Sequence, residues 1–191
     1  MKKNHYPFLA IVLVATLAAF LINSKDNSVD TSAPSVTPLP TSTAVIPQDW
    51  TYVKSEDLTI YYPKGFASIA GDGLSLVFLG PTQTEGTEMF DGINITVRTG
   101  TLDSKTLRQV VDDKVKQTKE DGVSEITQDL ESTQVAGKQG FTFKARGLGE
   151  YTFIYLPKGT DNYLEVSRIV EDPGNLGFAE TADQIISSME F

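Results

Sequence analysis

The chain has no cysteine, and its only histidine is His5. Without cysteine there are no disulfides, thiolate metal sites or thiol nucleophiles, and no lipid-attachment residue of the kind that marks a bacterial lipoprotein. The redox compartment stays open. Everything after His5 lacks an imidazole, which excludes Ser-His-Asp triads, imidazole acid–base catalysis and His-ligated zinc from the bulk of the chain. Basic residues are also scarce, 16 Lys and Arg against 25 Asp and Glu, for a net charge of -9. Nucleic-acid binding draws on Lys and Arg that displace counterions from phosphates, so no nucleic-acid partner is expected. The same sign disfavours adhesion to an anionic membrane surface. A nucleophile elbow is missing too: Gly73-Leu74-Ser75-Leu76 continues with Val77 where G-x-S-x-G requires glycine. Ser104-Lys105 is no dyad, because neighbours on a helix do not face each other.

The feature most prominent in what remains is an unbroken apolar run, Phe8 to Ile22, behind the basic start Met1-Lys2-Lys3. Positive residues ahead of such a run hold the N-terminus in the cytoplasm and place the rest outside. Two readings stay open. Fifteen residues rise roughly 22 Å, short of the ~30 Å hydrocarbon core, and act as an anchor if Tyr6 and the lysines reach the interface. The length also suits the apolar region of a cleaved signal peptide, with Ala18 and Ser24 as candidate cleavage positions. The cytoplasmic membrane is the expected partner of 8–22, with residues 1–7 inside and the domain outside; cleavage gives a secreted or periplasmic protein instead. Residues 23–48 follow, half of them Ser, Thr or Pro and without apolar periodicity, the composition of a disordered spacer.

Residues 49–191 hold 13 of the basic and 23 of the acidic residues, a net of −10, and suit one core. Strands are expected at Trp50–Val53, Leu58–Tyr62, Leu74–Leu79 and Ile93–Arg98, the last with clean period-two alternation. The stretches Phe66 to Gly73 and Thr82 to Gly92 read as loops. A helix follows with Asp103 as N-cap, Leu102 and Leu107 as a staple, Leu107, Val110, Val111 and Val115 on one face, and Gly122 as its stop. Val123–Leu130, diluted by Gln128 and Asp129, reads as an edge strand. Phe141–Arg146, a central Tyr151–Leu156 and Tyr163–Val170 are further strands, with a hairpin loop over 157–162. A terminal helix is expected from about Leu176 to Met189. Hairpin-length connections rule out a doubly wound parallel sheet. The fold class is α+β, a single antiparallel sheet flanked by amphipathic helices.

Three pieces carry a family resemblance: Trp50 and Tyr52 leading to Leu58-Thr59-Ile60-Tyr61-Tyr62-Pro63-Lys64-Gly65-Phe66, the hairpin from Tyr151 to Val170, and the closing Ala182 to Phe191. Together they resemble the PsbP-like group of extracytoplasmic bacterial proteins over about 49–191. The resemblance implies an α/β/α sandwich, an architecture similar also to that of a nuclear-import protein that binds a small GTPase. Relatives in plants and cyanobacteria assist photosystem II, in part through His and carboxylate metal contacts. With no His in 49–191 that metal site does not carry over.

The site candidates are loop residues: Phe66, Asp72, Glu85, Glu88, Met89, Phe90 and Asp91. Met89-Phe90 is an apolar tip in polar surroundings, a common contact anchor. The acids, with Glu165, offer the one enzymatic route that needs no His, paired-carboxylate hydrolysis; they also suit weak Ca²⁺ binding, although no EF-hand pattern is present. No cofactor is expected. Asn94-Ile95-Thr96 matches a glycosylation sequon but lies in a strand, and the repeated Y-x-P-K-G at Tyr61 and Tyr155 reflects shared turn chemistry. The leading expectation is a non-enzymatic interaction module whose partner is an envelope or membrane protein. A small-ligand or metal binder is the alternative, and a carboxylate hydrolase the third.

Overall fold

Nine strands and two helices follow one another among the described residues: β1 (Thr51–Ser55), β2 (Leu58–Tyr62), β3 (Ala67–Ala70), β4 (Leu74–Leu79), β5 (Gly92–Thr101), α1 (Leu107–Glu120), β6 (Glu125–Val135), β7 (Lys138–Arg146), β8 (Glu150–Lys158), β9 (Asn162–Glu171) and α2 (Phe178–Ser187). The structure, a computed structural model, describes residues 46–191 apart from Glu56, Asp57, Asp72 and Leu148. These belong to one compact unit, Pro40–Phe191. The 8–22 run and nearly all of the 23–48 linker lie outside the described residues. Among the described residues no helix is long and apolar enough to cross a membrane.

Seven strands form one sheet in the order β3-β4-β5-β9-β8-β7-β6, and every neighbouring pair is antiparallel. β1 and β2 form a separate ribbon, so the expectation of a single sheet is corrected in this detail. Period-two alternation explains the difference. Leu58, Ile60 and Tyr62 point inward from the ribbon onto Leu76, Ile95 and Leu164 of the large sheet, joined by Phe178, Ala182, Ile185 and Ile186 of α2. The ribbon therefore acts with α2 as a covering layer. Thr59 and Glu190 exchange both backbone hydrogen bonds, at 3.0 and 2.9 Å, and Tyr61 N donates to Ser188 Oγ at 3.2 Å. On the other side of the sheet, Val110 and Val111 of α1 pack on Phe143, Ala145, Tyr155 and Tyr163. Helices on opposite faces of an antiparallel sheet make this an α+β sandwich, as expected.

Several boundaries shift for local reasons. Asp103 is not the N-cap of α1. It and Ser104 occupy left-handed backbone (φ 47° and 66°), a turn closed by Lys105 N donating to Leu102 O at 2.8 Å. Thr106 caps instead, in a reciprocal box: Gln109 N donates to Thr106 Oγ1 at 3.2 Å, and Thr106 N donates to Gln109 Oε1 at 2.8 Å. The stretch 66–73, read as a loop, contains β3. The loop after β8 shrinks to a turn at 159–161, because Pro157 and Lys158 still pair with Tyr163 and Asn162. α2 begins at Phe178, not Leu176. Asp172 organises its approach by accepting from Leu176 N, Gly177 N and Phe178 N at 2.7, 2.9 and 3.1 Å. These bonds, Leu176 first, hold its carboxyl below the usual carboxylate range.

Candidate interaction face

Residues opposed across antiparallel strands share a face of the sheet, so the register sorts every side chain. From β9, Tyr163, Glu165, Ser167 and Ile169 point to the α1 side; opposite them stand Gly100, Arg98, Thr96 and Asn94 of β5. The same side continues through Ser75, Val77 and Leu79 of β4 and Ala67 and Ile69 of β3. α1 lies chiefly over β6, β7 and β8, and reaches Tyr163 of β9. Among the described residues nothing covers the β3-β4-β5 half. None of Ala67, Ile69, Ser75, Val77, Leu79, Asn94, Thr96 and Arg98 is buried, whereas the alternating Leu74, Leu76, Ile93, Ile95 and Val97 all are. Ile69 and Leu79 are 55% and 57% exposed. The centre of this open half is small and polar, with the Ser75 and Thr96 hydroxyls 3.0 Å apart. Beyond β9, the covered half carries a ladder of stacked rings, Phe143 to Phe153 at 4.9 Å and Phe153 to Tyr151 at 5.9 Å.

The loop joining β4 to β5 sits at one end of this open half and is held by two of its own side chains. Asp91, only 1% exposed, accepts through Oδ2 from Thr82 N at 2.7 Å and Thr82 Oγ1 at 2.6 Å. Its other oxygen, Oδ1, has no hydrogen-bond partner and lies against Gly80, where a Cβ would come within 2.0 Å of it. Gln83 is the second fastener. Its Oε1 accepts from Phe90 N and Asp91 N at 2.9 and 3.1 Å, and its Nε2 donates to Thr84 O and Glu88 O, both at 3.1 Å. The loop thereby presents Phe90, 43% exposed, on a preset backbone, with Met89 half-buried and Glu85 and Glu88 in solvent.

The sequence-derived candidates thus separate. Glu85, Glu88, Met89 and Phe90 share one loop, and Asp91 is its buried fastener. Phe66 faces away from them into the core beneath α2, its ring 6.1 Å from Tyr62 and 5.2 Å from Phe78. Asp72 lies outside the described residues. Glu165 is half-buried beside Tyr155, whose phenol is pushed well above its ordinary range by burial first and by Glu165, through charge and a hydrogen bond, second. Ile69 and Leu79 were not singled out from sequence. Their available signal was the apolar character of Leu74–Leu79 at both parities, which marks a strand with an apolar residue to show on each side.

A shallow cleft of about 210 Å³ opens elsewhere, at the N-terminal half of α1, lined by Thr101, Asp103, Lys105, Asp113, Lys114 and Tyr163. Lys105 Nζ meets Asp113 Oδ2 at 2.9 Å, so charge in the cleft is internally balanced; that hydrogen bond raises the Lys105 pKa. Tyr163 lies across Gly100, where a Cβ would come within 2.3 Å of the ring. Burial, then Glu165 and Asp103, raise its phenol pKa. Among the described residues no group of three or more His, Asp or Glu side chains is placed to hold a metal ion.

No protein-family profile and no curated protein matches the chain. Solved structures do. LpqN of Mycobacterium tuberculosis, described as involved in cell envelope biogenesis, superposes with a TM-score of 0.52 at 12% identity, over 74% of this chain and 89% of LpqN. The cyanobacterial PsbP (CyanoP) of Synechocystis sp. PCC 6803 superposes with a TM-score of 0.51 at 16% identity, over 80% of this chain and 98% of that protein. At such identities the likeness is one of fold.

Proposed function

We propose, for a chain with this PsbP-like fold, that it is a non-enzymatic interaction module of the cell envelope. The Phe8–Ile22 run and the 23–48 linker hold it at the outer face of the cytoplasmic membrane, and the open half of the sheet with the Phe90 loop receives a partner protein. One observation carries this reading: a sheet face with half its width uncovered, where Ile69 and Leu79 stand exposed beside a small polar centre, with exposed Phe90 on the loop at its end. Exposed apolar side chains gathered in one place mark contact surfaces. That the structural neighbour LpqN is described as involved in cell envelope biogenesis supports the compartment.

Crosslinking in intact cells followed by pull-down tests the reading. Wild-type protein is expected to recover a discrete envelope protein, and a Leu79→Lys, Phe90→Lys variant with an unchanged melting temperature is expected to lose it. Equal recovery by both, or no partner together with sugar hydrolysis by the purified protein, overturns it. The Tyr163 cleft is the seat of the alternative, a small polar ligand, favoured only by its mixed Asp, Lys and Tyr lining.

A further inference from the structure

Register sets Arg98 of β5 directly opposite Glu165 of β9 on the α1 side of the sheet, where opposite charges ordinarily pair. Here they part. The Tyr155 phenol donates to the Glu165 carboxylate from β8, on the covered side. The Arg98 stem lies the other way, towards the start of β4: a Cβ at Gly73 would come within 2.9 Å of Arg98 Cγ, so the bare glycine is its bed. Arg98 is exposed, and its side chain makes no ion pair or hydrogen bond among the described residues. The strands around it add no acid. Residues 49–191 carry 23 Asp and Glu against 13 Lys and Arg, yet β3, β4 and β5 turn only apolar, hydroxyl and amide side chains to this face beside Arg98.

We infer that Arg98 is the charged anchor of the open half, and that the partner protein seats an acidic segment there. A single Asp or Glu of that segment meets the guanidinium, and apolar side chains of the same segment rest on Val77 and Leu79. This rests on the reading of the open half as the contact face and names the chemistry of what lies on it. A guanidinium is a planar fork whose donors match a carboxylate in two parallel bonds. In open solvent such a pair adds little, but beneath a covering segment water is excluded and the same bonds strengthen. The number of charges selects the occupant. Nucleic acid, an anionic lipid surface or an acidic polymer is held by many cations at once, and a domain with a net charge of −10 repels them. One cation among apolar and hydroxyl neighbours suits one carboxylate among apolar side chains. The strands set the spacing. Val77 and Leu79 lie four and six residues along β4 from Gly73, which puts the acid about 13 Å from one apolar contact and about 20 Å from the other.

Full-length protein with a photo-activated crosslinking residue at Leu79, irradiated in intact cells, tests this apart from the reading it rests on. The expected result is a protein adduct that falls about tenfold with Arg98→Glu, the scale of one lost charge-assisted bond, at an unchanged melting temperature. Arg98→Gln, which sets no new charge beside Glu165, is expected to lower it in the same direction, and Arg98→Lys to lower it less. The crosslinked segment of the partner is expected to contain an Asp or Glu, and reversing that acid to Lys restores the adduct with Arg98→Glu. An adduct as strong with Arg98→Glu as with Arg98 overturns the inference and leaves the contact face standing. A crosslinked segment without an acid, or an adduct with lipid or polysaccharide, also overturns it. No adduct at all from position 79 overturns the contact-face reading, and this inference with it.

Discussion

The α1 side of the sheet consists of two halves with the same backbone and opposite fates. Over β6, β7 and β8 the residues are large and aromatic, Phe141, Phe143, Phe153 and Tyr155, and α1 covers them. Over β3, β4 and β5 they are Ser75, Thr96, Asn94 and Arg98 between isolated Val77, Leu79 and Ile69, and nothing described lies above. A helix about 10 Å wide spans two or three strands spaced 4.8 Å apart, so one helix does not roof seven strands. Side-chain type then decides which strands it covers. Aromatic surface drives burial most strongly per residue, and hydroxyls and amides are satisfied by each other and by water. The difference teaches that the open half is not an unfinished core. Its residues suit intermittent contact rather than permanent burial.

Substitution on either side breaks or sharpens that comparison. The largest effect is expected from Phe143→Ala in the covered half, about 3–5 kcal/mol of stability in urea unfolding, from lost burial and a cavity. Next is Gly80→Ala, whose Cβ collides with the Asp91 carboxylate. An overpacking cost of about 1–3 kcal/mol is expected. A Gly80→Ala, Asp91→Ala double variant should cost less than the sum of the singles, because the second change removes the first's obstacle. The covered half also sets the alkaline limit. The raised pKa of Tyr155 means that only the neutral phenol suits the fold, so stability holds below about pH 10 and falls as pH rises beyond it. Tyr155→Phe should flatten that fall in a pH series of melting temperatures. At the acid end the sign reverses. Asp172 and Asp121 have lowered pKa values from backbone N–H donors, so their contribution is present above about pH 4 and is lost as pH falls through the folded values. Asp172→Asn should remove part of that acid sensitivity and fray the start of α2 in hydrogen exchange. The smallest stability effect belongs to the open half: Leu79→Ser should stay within about 0.5 kcal/mol of wild type.

Much of this was legible in the sequence, and what was not has specific causes. Strict alternation in Ile93–Val97 gave both β5 and its buried face. The aromatic and β-branched runs gave β2, β7, β8 and β9, and the i, i+3, i+4 stripe gave both helices. Asp103 drew attention as a cap because capping residues are recognised by type, yet the capping box Thr106 to Gln109 lay three residues on and won by satisfying two backbone groups at once. β3 escaped because Gly65, Gly71 and Gly73 surround three small residues and a lone Ile69, and pairing with β4, a tertiary fact, makes them a strand. The site was half-legible. Met89-Phe90 advertised itself by composition, whereas Asp91 looked like another surface acid. Its burial depends on Gly80, eleven positions upstream, leaving room for the carboxylate. The openness of one half-face has no local sequence signal, since it depends on how far α1 reaches.

The central claim is that the open half, and not exposed apolar surface in general, is where this protein meets another. A photo-activated crosslinking residue placed at Leu79, and separately at Val123, tests it, because Val123 is 71% exposed between α1 and β6, away from that face. In intact cells the account predicts a discrete adduct with another protein from position 79 and none from position 123. Equal adducts from both positions, or an adduct from position 123 alone, would contradict it.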